Sequence, residues 1–345
     1  MRMIRRMAVL GPLTAAALGW SVRPAPAQTS VGGLGYAQYL YQLSDSASHL
    51  NNFDVTRVYV TVTGSFTGGV GTRVTSEAYR NTDGSLALRL KFAYVAWTPE
   101  SSAVTFKFGQ VQTPWVGFED ALWDYRMQGQ VAMDRNGYMT ASDFGAGVDG
   151  RWGPDRFNAQ LGFYNGENFN KAPGDQRKDL MARASYRVRD TNDSTWVGGL
   201  RVTGYAQLGK PTTGGQRRRF IGMLSYRSTH YTLAAEYAIT RDSVTGAGAI
   251  TPVASRDGHV VSVFGVLHLP RTRWAAIARL DRVDPNTSVA ADRTTRLIGG
   301  VSYQVSPNLR LLADIDRLNY ESGHPVTPAE QAVRTQGLFQ LMFTF

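Results

Sequence analysis

The sequence predicts an all-β chain, a membrane-crossing antiparallel up-and-down β-barrel of about sixteen strands. Three observations predict it. Apolar residues recur with period two from Gly33 to the carboxyl terminus, which places alternate side chains on opposite faces of a strand. The alternating runs are about the 9 to 11 residues that a tilted strand needs to cross a bilayer. Short and long connections also alternate, as they do when one rim of a barrel carries tight turns and the other carries loops.

In chain order the strands are expected at 33–41, 53–63, 70–79, 86–98, 103–112, 143–152, 156–165 and 179–189. The second half follows at 196–208, 218–228, 230–241, 258–269, 273–283, 294–305, 308–319 and 335–345. In the ninth, Val197, Gly199, Arg201, Thr203, Tyr205 and Gln207 share one face and Trp196, Leu200, Val202, Ala206 and Leu208 the other. In the last, Phe339, Leu341, Phe343 and Phe345 alternate with Gln336, Gln340 and Thr344. Gly153-Pro154-Asp155, Pro270-Arg271-Thr272 and Ser306-Pro307 mark tight turns, whereas 42–52, 166–178, 242–257, 284–293 and 320–334 are long. An even strand number returns both ends of the chain to the periplasmic side.

Composition narrows the functional classes. The 345 residues include no Cys, which removes disulfide scaffolds, thiolate metal sites and cysteine nucleophiles. A mean hydropathy of −0.25 and the lack of a long apolar run after the first twenty residues argue against spanning helices. Arg2, Arg5 and Arg6, the apolar stretch Met7 to Trp20 and Ala25-Pro26-Ala27 have the layout of a secretory signal peptide, so residues 1–27 are expected to be cleaved and 28–345 to form one domain. Removing four arginines with the leader leaves 33 basic and 27 acidic residues, a net of +6 rather than +10. That excess, without basic clusters interleaved with stacking aromatics, gives no support to a nucleic-acid partner.

The phase of the charges separates a barrel in lipid from a secreted sandwich. An Arg or Lys at mid-membrane on the lipid side costs about 2 to 4 kcal/mol, so mid-strand charges should all face the lumen. Arg57, Arg73, Arg89, Lys91, Lys107, Arg151, Arg183, Arg187, Arg201, Arg219, Arg227, Arg279, Arg296 and Arg310 fall in that phase. Arg241, Arg282 and Arg317 do not, but they sit near strand ends, where a long cation can snorkel. Tyr39, Tyr41, Trp97, Trp152, Tyr226, Tyr231 and Trp274 suit interfacial girdles. The lumen cations outnumber Glu77, Asp149, Glu236, Asp281, Asp314 and Asp316, which favours anions.

One stretch, Thr113 to Ser142, has no strand alternation and is too long for an idle loop. It mixes aromatic anchors and charges: Trp115, Glu119, Asp120, Trp123, Asp124, Arg126, Asp134 and Arg135. Such a composition suits a folded segment docked on a polar wall; a surface cap or a contact to a neighbouring subunit is the plainer reading.

On Phe106-Lys107-Phe108-Gly109-Gln110, the following Pro114, the Glu119 to Arg126 segment and the terminal Phe345, the chain resembles the phosphate-selective porin O and P family. The resemblance implies an outer-membrane porin, usually a homotrimer, in which the third loop folds into the lumen as the constriction. Phe345 looks like the signal read by the outer-membrane assembly machinery. The lysine cluster that such porins carry at the extracellular mouth has no counterpart, since the lysines are only Lys91, Lys107, Lys171, Lys178 and Lys210.

The function expected is passive diffusion of small hydrophilic solutes, anions in preference, phosphate among them, across the lipid bilayer of the outer membrane. Arg57, Arg73, Arg89, Lys91, Lys107, Arg151 and Arg201 are the expected wall cations, with Arg126 and Arg135 added from the loop. For any single Arg, a structural salt bridge to a lumen carboxylate is an equal alternative. A plugged or structural barrel competes with the open pore. A hydrolase is disfavoured, because His49, His230, His259, His268 and His324 sit in no catalytic or metal spacing. No cofactor is expected; Asn165-Gly166-Glu167-Asn168 with Asp175 offers oxygen ligands but not an EF-hand spacing.

Overall fold

A computed structural model describes residues 28–81, 83–171, 176–211, 215–245 and 252–345; the expected leader, 1–27, and Asp175 lie outside the described residues. Sixteen strands form one closed antiparallel barrel in which each pairs with its chain neighbours and the last closes on the first. They are β1 (Gln28–Gln42), β2 (Asn51–Phe66), β3 (Val70–Arg80), β4 (Leu86–Trp97), β5 (Val104–Gln112), β6 (Ser142–Trp152), β7 (Phe157–Tyr164) and β8 (Asp179–Arg189). There follow β9 (Gly199–Gly209), β10 (Arg217–Arg227), β11 (Tyr231–Thr245), β12 (Pro252–His268), β13 (Trp274–Asp284), β14 (Thr294–Ser306), β15 (Leu309–Tyr320) and β16 (Thr335–Thr344). Among the described residues three short α-helices lie in connections: α1 (Val116–Trp123), α2 (Ala132–Arg135) and α3 (Pro328–Ala332).

The wall follows the period-two pattern. Along β13, Trp274, Ala276, Ala278 and Leu280 are exposed while Ala275, Ile277, Arg279 and Asp281 are buried. The rim that carries the chain termini also carries the turns 153–156 and 307–308, and the stacked pairs Trp97–Phe106 and Trp152–Phe157 and the tilted pair Trp274–Tyr303 stand at its outer edge. These flat, amphipathic rings suit a membrane interface.

Three segments depart from the sequence expectation. The ninth strand begins at Gly199, not at 196, because Thr195 N–H bonds Asp193 Oδ1 at 2.8 Å and Gly198 N–H bonds Thr195 O at 2.9 Å, closing a turn before the strand. Residues 190–198 are therefore a nine-residue connection on the tight-turn rim, and Trp196 is in it. The region 242–257 is largely strand: β11 and β12 stay paired through Asp242↔Arg256 and Ser243↔Ser255. Arg241, which faces outward here, meets Asp257 at 2.7 Å on that ribbon. The inner wall, finally, is not polar all round. Met181, Ile221, Met223, Val260, Phe264 and Ile277 face inward and are buried together with the third loop.

Candidate functional site

The local structure starts at the Phe106 to Gln110 motif. Gly109 has φ +127, and a Cβ there would overlap the carbonyl oxygen of Ala93 and stand 3.0 Å from Tyr94 Cα, so only glycine lets β4 and β5 approach this closely. Beyond that point the two strands part, and Gln110 Nε2 donates to Leu90 O at 2.6 Å and Lys91 O at 3.0 Å where ladder bonds would have been. The chain then leaves the wall.

Residues 113–141 are held by side chains from the inward faces of many strands. Arg183 Nε donates to Pro114 O at 2.9 Å, Arg279 Nη1 to Gln130 O at 3.1 Å, Gln340 Nε2 to Met127 O at 2.9 Å, and Tyr125 shares a 2.6 Å hydroxyl bond with Ser302. Arg310 bonds Asp124 O at 2.8 Å and Arg227 bonds Ala121 O, so two cations satisfy carbonyls at the C-terminal end of α1, where the helix dipole favours positive charge. Asp124 itself ends the helix with φ +58, an αL conformation that Asp tolerates.

Helix α1 has two faces. Val116, Phe118, Glu119, Leu122 and Trp123 are buried, with Trp115 before them, against the apolar part of the wall. Glu119 sits among Glu236 of β11 and Arg279 and Asp281 of β13; burial first, then the Glu236 charge, raise its pKa well above the usual carboxylate range against the pull of Arg279. Its Oε2 accepts from Trp115 Nε1 at 2.9 Å. The opposite face, Gly117, Asp120 and Ala121, borders open space.

That space is a cavity of about 740 Å³ between the loop and the wall of β1 to β8. Its lining carries six cations, Arg73, Lys91, Lys107, Arg126, Arg151 and Arg183, against three carboxylates, Asp120, Asp124 and Asp149. Gly33 and Phe345 also border it, so it reaches the rim of the chain termini.

The expected wall cations divide into four groups. Arg57, Arg89 and Lys91 gather on the fully buried Glu77: Arg57 in direct contact, Arg89 Nε at 2.7 Å and Lys91 Nζ at 3.8 Å. Lys107 pairs with Asp149 on the neighbouring strand. Arg73 and Arg151 have no carboxylate partner among the described residues. Register explains this: Arg73 stands between Thr63 and Tyr94, and Arg151 opposite Asn158. Each lies on a ring instead, Arg73 at 4.6 Å from the centre of Phe92 and Arg151 at 5.3 Å from that of Trp196.

Arg201 is a different case. It is fully buried and spends its donors on Gly198 O at 2.9 Å and Asp155 O at 2.8 Å, so it ties two turns together and does not border the cavity. Trp115, Glu119 and Trp123 likewise face the wall, not the opening. Arg135 is drawn to Gln128 at 3.0 Å and Asp316 at 3.7 Å, away from the cavity. Asp120, Asp124 and Arg126 do border it, with Arg126 at 3.5 Å from both Asp120 and Asp134.

Sequence reasoning did not select Phe118, Trp196 or Arg183 for the cavity. Arg183 was in phase for the lumen, which was its available signal, whereas the inward turn at 190–198 that carries Trp196 has only Asp193 to announce it.

Comparison with known proteins places this geometry. A family profile described as phosphate-selective porin O and P matches residues 37–271. No curated protein sequence matches the chain. Solved structures with a similar fold include an anion-selective porin from Comamonas acidovorans (11% identity, TM-score 0.67, 92% of this chain and 100% of that one). They also include OmpF of Salmonella typhi in complex with daunomycin (11%, 0.64, 92% and 97%) and the trimer form of OmpT of Vibrio cholerae (12%, 0.62, 92% and 99%).

Proposed function

The chain belongs to the phosphate-selective porin O and P family and is an outer-membrane porin, and from that premise we propose that it conducts small anions by passive diffusion. One observation carries the reading: the cavity beside the third loop holds six cations against three carboxylates, and two of those cations, Arg73 and Arg151, have no carboxylate partner among the described residues. A guanidinium stays charged at any physiological pH and offers paired donors to an oxyanion. The loop narrows the bore, with Asp120, Asp124 and Arg126 facing the cationic wall across it. Loose, separated sites suit transit, because each must release the ion it attracts.

The reading includes removal of residues 1–27, assembly as a homotrimer and recognition of Phe345 by the assembly machinery. The trimer is supported by the fold shared with a porin solved in trimer form. The Phe345 signal is supported by its setting: its backbone exchanges bonds with Gly33 at 2.8 and 3.1 Å while its ring stays exposed. No covalent step is required of any residue, so the protein is read as a channel and not an enzyme.

The test is the zero-current potential of the refolded 28–345 barrel in a planar bilayer under a KCl gradient. A potential set by chloride is expected. A cation-set potential would overturn the anion preference, and no conductance after verified insertion would leave a plugged barrel.

A further inference from the structure

We propose that the solute class of this channel is an organic anion with an aromatic or apolar body, an aryl carboxylate such as benzoate, in preference to inorganic phosphate. The proposal rests on the anion-porin reading and deepens it.

Capture of phosphate calls for several charged donors converging without competing carboxylates. The cavity does not supply that. Lys91 shares Glu77, Lys107 is taken by Asp149, and Arg126 lies between two aspartates. Arg183 is committed to Pro114 O at 2.9 Å and Asn158 Oδ1 at 2.6 Å. Of the two guanidiniums without a carboxylate partner among the described residues, Arg73 donates Nε to Thr75 Oγ1 at 3.2 Å and lies on the ring of Phe92 in β4, whereas Arg151 lies on Trp196 of the 190–198 connection.

What surrounds Arg151 is aromatic. Trp196 has Arg151 on it at 5.3 Å, Arg183 at 5.6 Å and Phe118 edge-on at 5.4 Å, and both Trp196 and Phe118 border the cavity. An aryl carboxylate could set its carboxylate on the exposed Arg151 and its ring against Trp196; Phe118, buried and with Arg183 at 4.5 Å over its own ring, backs Trp196 edge-on. An inorganic ion could use only the first contact. The fold holds this surface in place: Asn158 Nδ2 donates to Trp196 O at 3.3 Å, Arg227 Nε meets Asp193 at 2.7 Å, and Arg201 Nε takes Gly198 O at 2.9 Å. Joining two strands on this rim needs far less, since 307–308 does so with two residues.

Bi-ionic potentials of the refolded barrel test it, with chloride on one side and acetate, benzoate or phosphate at pH 6 on the other, after a KCl gradient has fixed the selectivity. Loss of anion selectivity in KCl alone would sink the reading beneath the proposal. Given anion selectivity, benzoate is expected to permeate at least as well as the smaller acetate and better than phosphate. Trp196→Ala is expected to lower the benzoate-to-acetate ratio roughly three- to tenfold, the worth of one aromatic contact. Arg151→Gln should lower benzoate permeation relative to chloride. Permeation in order of size, phosphate ahead of benzoate, or a ratio unmoved by Trp196→Ala would overturn it. Should the alanine variant fail to refold, Trp196→Leu keeps apolar bulk without the ring face and is read by the same criterion.

Discussion

At the scale of single residues, two buried carboxylates act differently: Glu77 sets how much of the cationic charge is free, and Glu119 sets how the loop docks. Glu77 is inaccessible to solvent and neutralises part of a three-cation cluster formed by Arg57, Arg89 and Lys91. Glu77→Gln leaves those cations without a counter-charge, so the variant should be more anion-selective than the parent in a KCl gradient. It should also be less stable by on the order of 2 kcal/mol, below the cost of breaking a fully buried pair because the cations keep some water. Unchanged anion selectivity with a properly folded barrel would show that the cluster does not face the ion path. Glu119 acts on the loop. An acid whose pKa is raised on folding binds its proton more tightly folded than unfolded. The docked loop is thus favoured below the ordinary carboxylate range and loses that advantage as pH rises through the raised value. Near-UV circular dichroism of the aromatic side chains during urea unfolding should show a midpoint that falls with rising pH in the parent and is flatter in Glu119→Gln. Equal slopes would mean that Glu119, facing Glu236, Asp281 and Arg279, does not titrate in the docked state.

At the scale of elements, what the sequence made legible was whatever repeats with the strand period. β8 has the expected limits, Asp179–Arg189, because outward Leu180, Ala182, Ala184, Tyr186 and Val188 alternate with inward Asp179, Arg183, Ser185 and Arg187, the inward Met181 being the apolar exception. What it hid was structure set by side chains bonding backbone: the Asp193 turn that delays β9, and the Gln110 amide that stands in for a ladder where β4 and β5 separate. Gly109 is the hinge of that separation. Gly109→Ala combines a positive φ with an overlap on the Ala93 backbone, so it should destabilise the barrel by roughly 1 to 3 kcal/mol or more. Gly222→Ala, where a Cβ meets open space on the outer face, is the control expected to refold like the parent. Urea unfolding and heat-modifiable electrophoretic mobility read both, and indistinguishable behaviour of the two variants would refute the role assigned to Gly109.

At the scale of the whole molecule, the sign of the lumen charge was legible from strand phase, but its free fraction was not. Whether an arginine meets a solute depends on what the register sets beside it. Arg89 faces Glu77 directly across β3 and β4, while Arg73, on the same pair of strands, faces Tyr94. The same holds for the loop, whose docking depends on apolar inward residues such as Phe264 and Ile277 that the polar-lumen expectation gave no reason to seek. The two kinds of cation predict different responses to salt. A general field from excess charge is screened over about 10 Å at 0.1 M and about 3 Å at 1 M, so selectivity arising from it should decline towards unity across that range. Selectivity arising from contact with Arg73 or Arg151 is less affected, because the ion then sits within a hydrogen bond of the guanidinium. With the Glu77 cluster and Lys107 already neutralised in part, the residual preference at 1 M KCl should come from those two residues. The double variant Arg73→Gln with Arg151→Gln is therefore expected to remove the preference at 1 M while leaving some at 0.1 M, and zero-current potentials at the two salt levels measure it. A double variant whose selectivity still falls with salt just as the parent's does would assign the whole effect to the field.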